Sequence, residues 1–313
     1  VHCLFCFSCV NTCTNFVVVV VPFCVIFAVF YRGKTVLDII VGDPDTFSSL
    51  LGYFTQADLV DTLSNTQGIT LFAPTNGAFE ALTEAAPDVA ANLKTEEWQD
   101  HLEDLLYYHA LPTVVPSSDI TDGLSVTTLN EEDINFTVTT TNGGGTSTFV
   151  NTDAEVVEAD IDAINGIIHA IDNVILSSWV SNSIMERAEG TSELSTLVDL
   201  VVQAGLSGTL SEAGPYTVFA PTNTAFLGSL FEDITSLSAD QLSSILSYHV
   251  VEGIYPDTDL RNGLILTTLQ GEKLTFESRG TGKFVNDKRI IIPNILANNG
   301  IVHFIDGVLI PEG

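Results

Sequence analysis

The chain has 313 residues, 40 acidic against 10 basic side chains, and a formal net charge of −30. That balance excludes a nucleic-acid partner, whose affinity comes from clustered Lys and Arg, and it disfavours an anionic membrane surface for the same reason. At roughly 150 residues per domain the length predicts about two domains, and 45% hydrophobic residues supply cores for both, so global disorder is excluded.

The first elements in chain order are unlike the rest. All five cysteines (Cys3, Cys6, Cys9, Cys13, Cys24) fall in the first 24 residues, so neither half of the remaining chain is disulfide-stapled or a zinc module. The Cys3–Cys13 spacing resembles an iron–sulfur ligand run. Such runs end in Cys-Pro within a small soluble domain, whereas here Thr14 follows and Phe and Val surround it. The segment reads instead as an apolar leader. Phe16 to Phe30 is a 15-residue apolar run broken by Pro22, short for a ~20-residue membrane span but suited to a secretory signal or signal-anchor. Its basic residues follow rather than precede it, and the chain begins at Val1. Residues 1–31 are therefore read as a targeting or anchor segment, misjoined or incomplete at its start, with residues 16–30 as a candidate membrane tether.

The rest repeats. Phe72-Ala73-Pro74-Thr75-Asn76 recurs at Phe219 to Asn223, Tyr108-His109 at Tyr248-His249, Thr127-Thr128-Leu129 at Thr267 to Leu269, and Phe149-Val150-Asn151 at Phe284 to Asn286. Asn165-Gly166-Ile167-Ile168-His169-Ala170-Ile171-Asp172 recurs as Asn299 to Asp306. The offset shrinks from 147 to 134 residues along the copy, which places the length changes in connecting loops. Two copies of one domain follow, 34–178 and 181–311, rather than a solenoid of shorter units.

Each copy opens with helical periodicity: Phe47, Leu50, Leu51 and Phe54 in the first, Leu194, Leu197, Val198, Val201 and Val202 in the second. A strand is predicted over 69–72 and 216–219, ended by Ala-Pro-Thr-Asn. Thr or Asn then caps a short helix carrying Phe79 or Phe226. A further helix carries Leu102, Leu105, Leu106 and His109, or Leu242, Ile245, Leu246 and His249 behind the capping box Ser238-x-x-Gln241. Strands are predicted over 125–129, 134–140 and 166–175, and over 264–269, 273–277 and 300–309. Helices first and strands later make an α+β domain.

These repeated segments resemble the fasciclin domain, in two tandem copies over residues ~34–311. Its first signature matches Thr70 to Phe79 and Thr217 to Phe226, its central Tyr-His both repeats of that pair, and its closing signature Asn165 to Leu176 and Asn299 to Leu309. The resemblance implies a β-wedge sandwich with helices packed around one side, and an extracellular adhesion or matrix module rather than an enzyme. It also implies contact residues: an Asp-Ile segment before the closing signature, matched by Asp160 and Ile161, and the Tyr-His segment, Tyr108 and His109. The second copy departs, with Asn294-Ile295 in place of Asp-Ile. An amide cannot supply the charge that a partner's metal site would require, so the first copy is favoured.

From the residues alone, His109, His249, His169 and His303 lie on apolar stripes and read as core histidines satisfied by hydrogen bonds. Asn76 and Asn223 read as helix caps, and Asp172 and Asp306 as turn acceptors. No G-x-S-x-G, H-E-x-x-H, P-loop or G-x-G-x-x-G template occurs, and nothing singles out a carboxylate pair, so no catalytic residue, metal or cofactor is expected. Asn135-Phe136-Thr137 is a glycosylation sequon. The expectation is a secreted or cell-surface adhesion protein that binds a cell-surface receptor, matrix protein or polysaccharide. The alternative is a self-associating structural component of the cell envelope or matrix.

Overall fold

The computed structural model describes residues 33–140, 144–212, 214–227 and 236–312, together with the backbone of 19–21 and 24–26. The last two stretches form strands β1 (Val19–Val21) and β2 (Cys24–Ile26), paired antiparallel. The remainder of the leader or anchor segment lies outside the described residues.

The first copy begins where Thr35 closes a capping box with Asp38 on α1 (Val36–Gly42). Asp43 then accepts from the Thr46 amide at the start of α2 (Pro44–Gln56), whose Phe47, Leu50 and Phe54 are buried as the periodicity requires. After α3 (Val60–Asn65) the chain enters β3 (Ile69–Pro74), buried along its whole length. Thr75 caps α4 (Asn76–Ala85). There follow α5 (Pro87–Asn92), α6 (Gln99–Tyr108) and β4 (Ala110–Leu111). The strand-rich end holds β5 (Ser125–Thr127), β6 (Asp133–Thr140), β7 (Thr146–Val150), β8 (Ala154–Ala163) and β9 (Gly166–Ile171).

The second copy repeats the plan with α7 (Ile184–Glu189), α8 (Ser195–Gln203), α9 (Ser207–Ser211) and β10 (Tyr216–Pro221). Next come α10 (Ala239–Ser247), begun by the Ser238/Gln241 capping box, and β11 (Val250–Glu252). It ends in β12 (Ile265–Thr267), β13 (Lys273–Arg279), β14 (Gly282–Val285), β15 (Lys288–Ala297) and β16 (Gly300–Ile305).

Both copies build a seven-stranded sheet with one strand order, β4-β3-β9-β8-β7-β6-β5 and β11-β10-β16-β15-β14-β13-β12. Only β3–β9 and β10–β16 run parallel within these sheets. Each domain is α+β with an apolar cluster on each side of those central strands. In the first copy, α2 and α6 pack Phe47, Leu50, Phe54 and Leu102 against Ile69, Leu71 and Ile168. On the other side the sheet folds over itself, bringing Phe72 and Ile171 against Phe136 and Val150. The ring pairs Phe72–Phe136 (5.5 Å) and Phe219–Phe276 (5.4 Å) are equivalents.

Most of the expected helices and strands are present. Strands β4, β7 and β8 and their equivalents β11, β14 and β15 were not foreseen, nor were α1, α3, α5, α7 and α9. β3 and β10 run on through Pro74 and Pro221 instead of stopping at Ala-Pro, because the missing proline amide is needed by neither neighbour at the strand's end, and the helix expected around Phe226 is a single 3-10 turn, Asn223–Phe226. The predicted strands over 166–175 and 300–309 stop at Ile171 and Ile305. Asn76 and Asn223 are not the caps: Thr75 caps α4, while Asn76 Oδ1 accepts from the Ser49 amide (2.8 Å) and its Nδ2 donates to Asp45 O (2.8 Å), tying α4 to α2. Asn223 accepts from the Thr196 amide (2.9 Å) in the same way.

The Asn-Gly pair of the closing signature has two separate jobs. Asn165 Oδ1 accepts from the Val36 amide (2.8 Å), and its Nδ2 donates to Leu63 O and Thr66 O (3.0 Å each), joining the start of α1 to the end of α3. Asn299 does the same with Ile184 N, Leu210 O and Glu212 O. Gly166 lets the parallel strand approach: a Cβ there would lie 2.2 Å from Ile69 O. A buried backbone group left without its partner costs about 1–3 kcal/mol. Asn165→Ala, which strands three, is therefore expected to lower the unfolding free energy by about 3–5 kcal/mol in chemical denaturation; a loss below about 1 kcal/mol would contradict this role.

Candidate contact surface

Strand β8 breaks its register against β9 twice, between Val156 and Glu158 and again between Glu158 and Ile161. Strand β15 breaks at the equivalent places, between Ile290 and Ile292 and between Ile292 and Ile295. The bulge turns one residue into left-handed backbone, Asp160 at φ 59° and Asn294 at φ 59°. Asp and Asn tolerate that conformation better than other residues with a Cβ. One reason for an acid or amide here is thus conformational and owes nothing to a partner.

His169 fixes the bulge from behind. Its Nδ1 accepts from the Asp160 amide (3.2 Å), so its Nε2–H donates to Val115 O (2.9 Å). Asp160 Oδ1 in turn accepts from the Ser117 amide (2.8 Å), and Oδ2 from the Ser117 hydroxyl. That hydroxyl and then that amide hold the Asp160 carboxyl below the usual carboxylate range. The side chain is exposed, while Ile161 is half-buried and packs inward on the helix-side core.

The Tyr-His pair lies elsewhere. Tyr108 is 4% and His109 2% exposed. The Tyr108 hydroxyl donates to Asp133 O (3.3 Å) and accepts from Asn151 Nδ2 (2.6 Å). His109 Nδ1–H donates to Leu105 O (2.7 Å), and its Nε2 accepts from the Ile175 amide (3.2 Å). Tyr248 and His249 repeat both patterns. As folded, Tyr108 and His109 tie α6 to the sheet and present no contact surface, so they are not brought together with Asp160. Asn135 is exposed on β6. Among the described residues no group of three or more His, Cys, Asp or Glu side chains is arranged to hold a metal ion.

In the second copy the equivalent surface is covered. His101 of α6 is fully buried, with its ring 4.4 Å from Trp98 and edge-on to Trp179 at 4.8 Å. Its Nε2 lies 3.1 Å from Ala297 O and 3.3 Å from Gly300 O. Both partners are carbonyls, so Nε2 carries the proton. The Ile254 amide donates to Glu97 Oε1 (3.1 Å), and Asn294 Nδ2 to Asp100 Oδ2 (3.3 Å). Ile254, Ile301 and Leu296 pack onto the core of the first domain. Sequence reasoning missed this junction. The available signal was the mismatch between copies, where Trp98 and His101 correspond to Ser238 and Gln241.

The junction and cores set the electrostatics. Burial pushes the imidazoles of His101, His109, His249 and His303 down to about 4. Burial, with Glu103, Asp259 and Asp257 adding to it, pushes the Asp100 carboxyl up to about 6. Each of these imidazoles is neutral when folded and has an ordinary value near 6.5 when unfolded. Their stabilisation is complete above pH 6.5 and is lost as the pH falls toward 4, about 3 kcal/mol for each. Asp100 acts in the opposite direction, favouring the folded state as the pH falls through 6, but it is partly exposed and solvent screening leaves its contribution smaller than that of any one of the four. Acid unfolding before pH 4 is expected, with these four ring signals unmoved in NMR spectra between pH 8 and 5. Any of them titrating near 6.5 in the folded protein would contradict the burial.

A family model described as the Fasciclin domain matches residues 45–177 and 192–311. Periostin of Homo sapiens is 30% identical over 279 residues, covering 89% of this chain and 31% of that protein. The transforming growth factor-beta-induced protein ig-h3 of Oryctolagus cuniculus is 29% identical over 287 residues, covering 89% of this chain and 38% of that protein. The chain thus spans about a third of the length of these relatives. The fasciclin-like arabinogalactan protein CTB11 of Cercospora beticola is 29% identical over 88% of this chain and 76% of its own length. A solved FAS1 domain pair from the insect cell adhesion molecule Fasciclin I aligns over 86% of this chain and 98% of that one, with 19% identity and a TM-score of 0.44.

Proposed function

Both halves of the chain belong to the fasciclin domain family, and from that premise we propose that the protein is a non-enzymatic extracellular adhesion or matrix-interaction protein. Its contact point is Asp160 of the first domain, supported from beneath by Ile161. Its partner is a cell-surface receptor, a matrix protein or a polysaccharide. The observation that carries this reading is an exposed carboxylate held by two hydrogen bonds from Ser117 on a left-handed bulge residue. Such a group can meet a partner at little cost in ordering. Tyr108 and His109 act only by holding the scaffold. Export would make Asn135 available for a glycan. Among the described residues no helix is long and apolar enough to cross a membrane; the candidate tether is the apolar run over 16–30.

The decisive variant is Asp160→Asn. Alanine would strain the left-handed position and release the Ser117 loop, whereas asparagine keeps the left-handed backbone and the bond from the Ser117 amide to Oδ1, turns the hydroxyl of Ser117 into an acceptor of Nδ2–H, and removes the charge. Cells or matrix are expected to attach to the immobilised full chain, at least five-fold less to Asp160→Asn, and less in the presence of a chelator if a metal bridges the contact. Equal attachment to both proteins would overturn the assignment of Asp160. Absence of attachment, together with concentration-dependent self-association in sedimentation, would favour the structural alternative.

A further inference from the structure

Among the described residues, the two repeats present one surface in two states, covered in the second copy and uncovered in the first. The backbone beneath it is the same in both: the same bulges, the same left-handed residue, the same histidine behind it. In the second copy Ile254 is 6% exposed and Leu296 packs on the neighbouring domain. Their counterparts by position are Val114, 49% exposed, and Asp162, exposed. Asn294 faces Asp100 across the junction, while its counterpart Asp160 faces outward. Ile164, on the turn beside Asp162, is 57% exposed. Among the described residues, this face of the first domain thus exposes the apolar side chains of Val114 and Ile164 together with the carboxylates of Asp160 and Asp162.

We propose that this surface of the first domain docks a protein segment in which an aromatic or aliphatic side chain is flanked by lysine or arginine. The proposal rests on the reading of Asp160 as a contact point and adds the chemistry of what it contacts. In the covered copy the apolar part receives an aromatic pair, Trp98 and His101, carried by a helix end that is itself acidic at Glu97 and Asp100. An amide at 294 and a leucine at 296 accept that acidic end. Aspartates at 160 and 162 repel one and attract its opposite, since like charges brought together oppose association and complementary ones steer it. A second copy of this chain does not fit. Its Trp98 end is already buried in its own junction, and the equivalent end of its second domain, Leu237 to Gln241, carries Asp240 and no aromatic residue.

The test titrates the full chain with a pentapeptide whose central tryptophan has two lysines on each side, following the methyl signals of Val114 and Ile164 by NMR. Controls are the same peptide with glutamates for lysines, and pentalysine. A double variant, Asp160→Asn with Asp162→Leu, grafts the second copy's residues onto the first. The pair Glu80→Gln with Glu84→Gln removes the same charge elsewhere. The expected result is movement of both methyl signals by the lysine–tryptophan peptide alone. The graft should weaken binding at least ten-fold, while the charge control stays within two-fold of the unaltered chain. Equal weakening by both variants would reduce the effect to bulk charge and overturn the proposal. So would binding of the glutamate peptide, or unmoved Val114 and Ile164 signals. If the peptide binds but cells and matrix do not attach, the docking chemistry stands and the adhesion reading fails; the converse pattern rejects the docking chemistry alone.

Discussion

Everything in each domain hangs on the close approach of two parallel strands at the centre of its sheet. Strands β3 and β9 come near enough that Gly166 has no room for a side chain, and β10 and β16 do the same at Gly300, where a Cβ would sit 1.9 Å from Tyr216 O. Parallel strands need a long crossover, and in the first copy it carries α4, α5, α6 and the other five strands of the sheet, while α1 to α3 pack in from before β3. The backbone groups left over where that crossover begins and ends must then be satisfied in a dry interior. Asn165 and Asn299 do this for the helices. His169 and His303 do it for the bulge beside the sheet, and His109 and His249 for the segment that leaves it. The repeated polar residues are the wiring that a buried parallel pair requires.

That wiring also determines where the two copies can differ. The bulge on β8 and β15 accepts Asp or Asn with equal ease, so the charge at that position is free to vary without cost to the fold. In the second copy Asn294 donates to Asp100 and accepts from the Asp257 amide, and a carboxylate there would face Asp100 with no proton to offer. Burial and neighbouring acids already hold Asp100 partly protonated near neutral pH. The amide is therefore the form compatible with a domain junction, and the carboxylate the form compatible with an open surface.

The helices and the strands before and after the central pair were legible because they carry plain periodicity, as in Phe47–Leu50–Phe54 or Ile134–Phe136. The core reading of the histidines agrees with their burial, because an apolar stripe leaves an imidazole nothing but hydrogen bonds to make. Strand β8 was hidden: its two bulges break the alternation, and its outer positions are acidic. Asn76 looked like a cap because it sits one residue from one, and only the packing of α2 shows that it reaches sideways. The junction could not be read from either copy alone. It rests on Trp98 and on His101, whose ring meets the turn between β15 and β16 almost two hundred residues later in the chain. Comparing the copies position by position would have flagged both residues as unmatched.

Among the described residues, one surface is committed in the second domain and open in the first. Amide hydrogen exchange on the full chain tests it most directly, by comparing residues 252–258 with their counterparts 112–118. The account predicts at least ten-fold slower exchange across 252–258, where the Ile254 amide is held by Glu97 and covered by the first domain, than across 112–118. Equal exchange in the two segments would contradict it.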